Sequence, residues 1–229
     1  MKKKILIFTA LLLVCAAVVS GFLLWNRPVT GEYSSERNRQ YFESLRAIEN
    51  RADANDAVVT VNGEKITVGQ IQAQLLTNQY SVESYRLACA AKGEAPDPAA
   101  IAQMTQTEQD ITDRLIRNLV VRQEAERLKL TASRKEGKQR AEEVLAEVKK
   151  LAEDGHADAK EGLAFMTDEM LSRGKSLSAW VDTSAESYRD GITAGNLEAH
   201  YKANTKDTIL NYEAYVQDLV TKANIKYHK

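Results

Sequence analysis

Proline is scarce in this chain, three in 229 residues, and glycine is not much commoner at eleven. A loop-rich or all-β fold needs more of both, so the scarcity favours long helices. Cysteine is scarcer still. Cys15 lies in an apolar N-terminal run and Cys89 stands alone in "LACAAKG", which excludes a disulfide framework. No base is visible beside Cys89, so a small helix residue turned inward is its plainer role. Charge of one sign is also lacking: 28% of residues are charged, yet the net charge is −1. That balance offers no general polyanion-binding surface and argues against nucleic acid as a partner.

Catalytic motifs are absent in the same way. His156, His200 and His228 are far apart, without paired cysteines or spaced carboxylates, so no metal site is expected. Arg173-Gly174-Lys175-Ser176 has the ending of a phosphate-binding loop, but Glu169 occupies the place of the upstream glycine and no strand precedes it. A solvated turn between helices is the better reading. No G-x-S-x-G elbow occurs. The expectation is therefore no enzyme, no cofactor and no catalytic residue. The competing reading is an enzyme whose groups converge only in three dimensions.

What is present begins at the N-terminus. Lys2, Lys3 and Lys4 precede an uncharged run over 5–25, and only Arg27 follows closely. The run suits a membrane span of about 20 residues better than a signal-peptide core of about 7–15. The lysines place the N-terminus in the cytoplasm and the body outside, so 1–27 is expected to be a single-pass anchor. A signal cleaved near Val18-Val19-Ser20 is the alternative, which would make the body a secreted protein. Lipoprotein processing at Cys15 is disfavoured by Val14 before it. Residues 28–55 follow as a juxtamembrane linker. Tyr41, Phe42, Leu45 and Ile48 have helical spacing there, and a solvated spacer fits the same polar composition.

Residues 56–229 form the body. Val58–Val61, the turn dipeptide Asn62-Gly63 and Glu64–Ile66 read as a hairpin, because a type I′ turn needs two residues with φ > 0. Thr67 and Gln70 fit a capping box, and Ile66 and Ile71 a hydrophobic staple, for a helix over 68–91. Two strands alone are marginal in water. The alternation in "NIKYHK" makes 224–227 the expected third strand.

Asp97-Pro98 starts a further helix. Over 110–130 the residues Ile111, Leu115, Ile116, Leu119, Val120 and Val121 cover too much circumference for one stripe, so this helix should be contacted from several sides. Ser133 and Glu136 fit another capping box, ahead of a stripe of Ala141, Val144, Leu145, Val148, Leu151 and Ala152. The fold class is mainly α with a small antiparallel sheet.

The order of elements resembles a known family. "VVTVNGEKITVGQIQAQL" is similar to the opening of the SurA-type chaperone domain, and "ITDRLIRNLVVRQEAERLKLTASRKEGKQR" to its central segment. "MLSRGKSLSAWVDTSAESYRD" looks like the following helical pair, and "YEAYVQDLVTKANIKY" like the terminal helix and strand of SurA- and PrsA-type proteins. The resemblance covers roughly 56–227. It implies an extracytoplasmic chaperone holding unfolded or secreted polypeptides on a diffuse apolar surface. Relatives often carry an inserted parvulin prolyl isomerase. Here the link between Asp154 and Leu163 is too short for that domain, so isomerase activity is not carried over.

A client surface needs adaptable apolar side chains. Phe165, Met166, Met170, Trp180 and Tyr188 are the candidates, and ordinary helix-packing core is the competing role for each. A dedicated helical subunit of a membrane or cell-envelope complex is the alternative function. The oligomeric state is not legible.

Overall fold

The computed structural model describes residues 35–204 and 209–228. The anchor assigned to 1–27 and the first part of the linker lie outside the described residues. Among the described residues no helix is long and apolar enough to cross a membrane.

The hairpin forms where the sequence places it. Strand β1 (Ala57–Val61) turns through Asn62 (φ 50°) and Gly63 (φ 93°) into β2 (Glu64–Thr67), with Val61 opposite Glu64. Both turn residues have the positive φ a two-residue type I′ turn demands. Strand β3 (Ile225–Tyr227) pairs antiparallel on the other side of β1, giving the order β2-β1-β3. The first strand of the body is thus central, and the end of the chain supplies an edge. Tyr227 departs from the half-buried expectation: it is 61% exposed, and of β3 only Ile225 reaches the core.

Helix α1 (Ser35–Glu49) precedes the sheet, and α2 (Val68–Ala91) follows it. Thr67 and Gln70 close the α2 capping box reciprocally. Ile66 and Ile71, the staple pair, are both buried in the core under the sheet with Val59 and Val61. Asp97 caps the short α3 (Pro98–Met104), with Pro98 in its first turn.

Helix α4 (Glu108–Arg127) starts two residues earlier than the apolar pattern indicates. Thr107 caps it with Asp110 as the reciprocal partner. One side of α4 packs Ile111, Ile116 and Val120 against the sheet. Another packs Val121 and Ala125 against Leu197, Tyr212 and Val216 from later helices. Two separate cores on one helix account for its wide apolar surface.

Beyond α4 come α5 (Arg134–Glu153), α6 (Ala157–Ser172), a 3₁₀ turn (Leu177–Ala179), α7 (Trp180–Asn204) and α8 (Ile209–Lys222). Ser133 and Glu136 form the α5 capping box. Helices α5 and α7 meet closely because small residues line the crossing: Gly137, Ala141 and Ala185 are buried there. A Cβ on Gly137 would stand 2.1 Å from the Ala185 carbonyl oxygen. Cys89 is buried in α2, in the inward role its surroundings indicate.

Polar bonds tie the sheet to α4. The Gln123 amide donates to the Val61 carbonyl (3.1 Å) and to Glu64 Oε1 (2.7 Å), and accepts from Asn62 Nδ2 (2.8 Å). The apolar and polar residues of the hairpin therefore converge on the same helix.

Candidate functional site

The five nominated residues separate into two environments. Met170, Trp180 and Tyr188 are inside the core formed by α5, α6 and α7, with Ala141, Val144, Leu145 and Val181. Met170 has no exposed surface, and Trp180 meets Tyr188 edge-on at 6.1 Å between ring centroids. As folded here these three are buried in helix-packing core, the competing role given for each. A stripe at helical spacing looks the same whether a client or the α5 stripe covers it. Met166 and Leu163 are half-buried at the edge of that core.

Phe165 belongs elsewhere. It joins Tyr41 and Phe42 of α1 and Tyr80 of α2 in an aromatic cluster, with Leu45 and Leu76 packed beside it. Phe42 and Phe165 ring centroids are 4.7 Å apart, Tyr41 and Tyr80 4.3 Å, and Tyr80 and Phe165 6.0 Å. Such offset and tilted pairs add roughly 0.5–1.5 kcal/mol each beyond their buried area. The helical spacing of Tyr41 and Phe42 is thus realised in a docked helix, not in a solvated spacer.

Polar groups surround the rings. Asn38, with no exposed surface, donates from Nδ2 to Asp168 Oδ2 (3.2 Å) and accepts from the Tyr80 hydroxyl. Tyr41 and Thr77 share a hydroxyl–hydroxyl bond of 2.8 Å. Arg37 donates from Nη2 to Ser84 Oγ (2.9 Å) and the Tyr80 carbonyl (3.1 Å), with its guanidinium over the Tyr80 ring at 4.3 Å. Arg37 at Ser84 and Tyr41 at Thr77 mean that α1 runs antiparallel along α2. At the other end of α1, Glu49 pairs with Arg173 of the α6 C-cap (3.5 Å).

The electrostatics follow from that burial. The Glu169 carboxyl is held above its ordinary range, first by burial and then by the Glu49 charge; Arg173 and a hydrogen bond from Trp180 oppose the shift. Burial likewise pushes the Tyr41 hydroxyl up to about 12, with Tyr80 and Glu169 adding to it and the Thr77 bond opposing. Both shifts have the same origin, the removal of these groups from water beneath α1. Among the described residues no three His, Cys, Asp or Glu side chains gather as a metal site needs.

Sequence reading missed Asn38, Tyr80 and Asp168. Their partners are 42 and 130 positions away, and no local pattern marks them. A few apolar side chains do face solvent: Leu87 is 50% exposed and Leu171 58%.

Residues 2–166 match the family model described as the SurA-like N-terminal domain. No curated protein and no solved structure matches the chain. The matched span begins within the N-terminal basic residues, takes in α1 through α5 and the α6 residues up to Met166, and stops before α7, α8 and β3. It therefore starts earlier and ends sooner than the resemblance over 56–227.

Proposed function

Because the chain belongs to the SurA-like N-terminal domain family, a chaperone-type family, we propose that it is an extracytoplasmic chaperone that holds unfolded or unassembled polypeptides. In this reading it is fixed to the cell membrane by residues 1–27, binds its clients without nucleotide or cofactor, and carries no prolyl isomerase activity. The observation that carries the reading is the family match over 2–166. The basic N-terminus and the uncharged run over 5–25 support delivery of the body across the membrane.

The architecture is compatible with holding. The sheet and α4 make a framework locked by buried valines and isoleucines and by the Gln123 bonds. Around it, half-buried aromatic and Met side chains offer weak, exchangeable contacts. Each buried methylene contributes about 0.8 kcal/mol, so a few such contacts retain a client and release it once folding buries the same surface.

The test uses the full chain in lipid nanodiscs with a chemically denatured model protein. Suppressed aggregation at modest molar excess, with an unchanged proline-limited refolding phase, is the expected result. An accelerated proline phase would contradict the absence of isomerase activity. No suppression with any of several unrelated clients would contradict the holding role.

A further inference from the structure

Helix α1 packs on α2, which belongs to the sheet layer, and on α6, which belongs to the α5–α7 layer. Its hold is narrow. Tyr41 and Phe42 are its buried apolar residues, Leu45 is half-buried beside them, and Glu36, Arg39, Gln40 and Glu43 face solvent. The rest of the attachment is polar: Asn38 to Asp168 and Tyr80, Arg37 to Ser84, Tyr41 to Thr77, and Glu49 to Arg173. A surface that mixes a few rings with many hydrogen bonds has the composition of a reversible interface more than of a domain core.

The connection after α1 is anchored independently. Gly69 N–H donates to the Ala54 carbonyl (2.9 Å) and Val68 N–H to that of Asp56 (3.0 Å), and Ala54 is buried against Gly69. Residues 50–53 join the two, so release of α1 would leave the hairpin's own bonds in place. A 15-residue helix is marginal alone in water, so α1 depends on what lies beneath it. What lies beneath is Leu76, Tyr80 and Phe165, flanked by Thr77, Ser84 and Asp168.

We propose that this surface of α2 and α6 is a binding site for an amphipathic helical segment of another polypeptide, and that α1 is its resident competitor. The proposal rests on the polypeptide-holding reading and names its site. The occupant is defined by α1 itself: two adjacent aromatic or large apolar side chains, with a hydrogen-bond donor one turn earlier on the same face, as Tyr41 and Phe42 follow Arg37 and Asn38. The rings fill the place over Tyr80 and Phe165, and the donors meet Asp168 and Ser84. Segments of this kind are common in unfolded chains and are covered again when those chains fold.

The test measures binding of a fluorescein-labelled synthetic peptide, residues 35–49, to the full chain in nanodiscs, with a scrambled peptide as control. In the unaltered protein α1 competes at an effective concentration in the millimolar range, so binding is weak. Phe42→Ala weakens α1 alone, and Asn38→Asp sets a carboxylate against Asp168 to the same end. Each is expected to tighten peptide binding by about tenfold or more, because it raises the open fraction. Adding Phe165→Ala to either removes the gain. Circular dichroism verifies that each variant stays folded. If both α1 variants are folded and bind no tighter, α1 is a fixed structural helix and the proposal fails. If the gain comes only with dimerisation seen by light scattering, the occupant is a second copy and the client site is overturned. Tighter peptide binding without any suppression of aggregation would uphold the site while removing the chaperone reading; suppression without tighter binding would do the reverse.

Discussion

Asn62 and Asn224 hold each other across 162 positions of sequence: the Asn62 N–H donates to the Asn224 carbonyl (2.9 Å), and the Asn224 N–H donates to Asn62 Oδ1 (2.8 Å). One residue thus makes the hairpin turn, fastens the C-terminal strand, and donates through Nδ2 to Gln123 of α4. The beginning and end of the body close into one unit at that point.

Two substitutions separate the backbone and side-chain roles of Asn62. Asn62→Gly keeps the positive φ and loses the side-chain bonds, for a cost of roughly 1–2 kcal/mol. Asn62→Ala loses the bonds and, unlike glycine, keeps a Cβ in the left-handed region without the polar side chain that lets asparagine tolerate it, for a further 1–2 kcal/mol or so. Urea denaturation should rank the stabilities wild type, Gly, Ala. Equal stability of the two variants would show that φ at this turn carries no cost.

Gly137 and Gly195 should answer the same substitution with opposite signs. A Cβ at Gly137 meets the Ala185 carbonyl at 2.1 Å and the Arg189 backbone nitrogen at 2.8 Å, so α5 and α7 must part. Gly137→Ala is expected to cost about 3 kcal/mol. Gly195 is an exposed position inside α7 with nothing within 4 Å of a new Cβ. There alanine should stabilise the helix by about 0.5–1 kcal/mol. Thermal melts of the two variants on either side of wild type are the readout.

Glu169 and Glu124 should move stability in opposite directions with pH. Glu169 has a raised pKa in the fold, so its favourable share is complete below the unfolded value and is lost as pH rises through the folded one. Glu169→Gln should therefore melt higher than wild type at pH 8, with the gap closing toward pH 4. Glu124 is held below its ordinary value, first by Arg127 and then by the Tyr215 hydroxyl. Its contribution is present above the unfolded value and falls away as the solution is acidified through the folded one. Glu124→Gln should melt lower at neutral pH and approach wild type in acid. Parallel pH–melting curves for wild type and both variants would contradict these assignments.

Local chemistry made much of the fold legible. Asn62-Gly63, the Thr67–Gln70 and Ser133–Glu136 boxes, and Asp97-Pro98 each need only neighbours in sequence to act, and each appears in place. The third strand was legible because alternation survives even in a short segment, although Tyr227 at the sheet edge stays in solvent. The fate of Met170 and Trp180 was not, since a helical stripe records that something covers it and not what. The docking of α1 was hidden for a different reason. Its mostly polar sequence shows only two rings, and their partners Tyr80 and Phe165 come from distant helices.

The central claim is that the protein holds many polypeptides and not one. In-cell photocrosslinking from Leu171, which is 58% exposed, followed by purification of the full-length protein with whatever it has captured, tests it most directly. The predicted result is a set of unrelated secreted polypeptides, captured while unfolded and lost when secretion is blocked. A single folded protein recovered in fixed stoichiometry would contradict the account and make this chain a dedicated subunit of one complex.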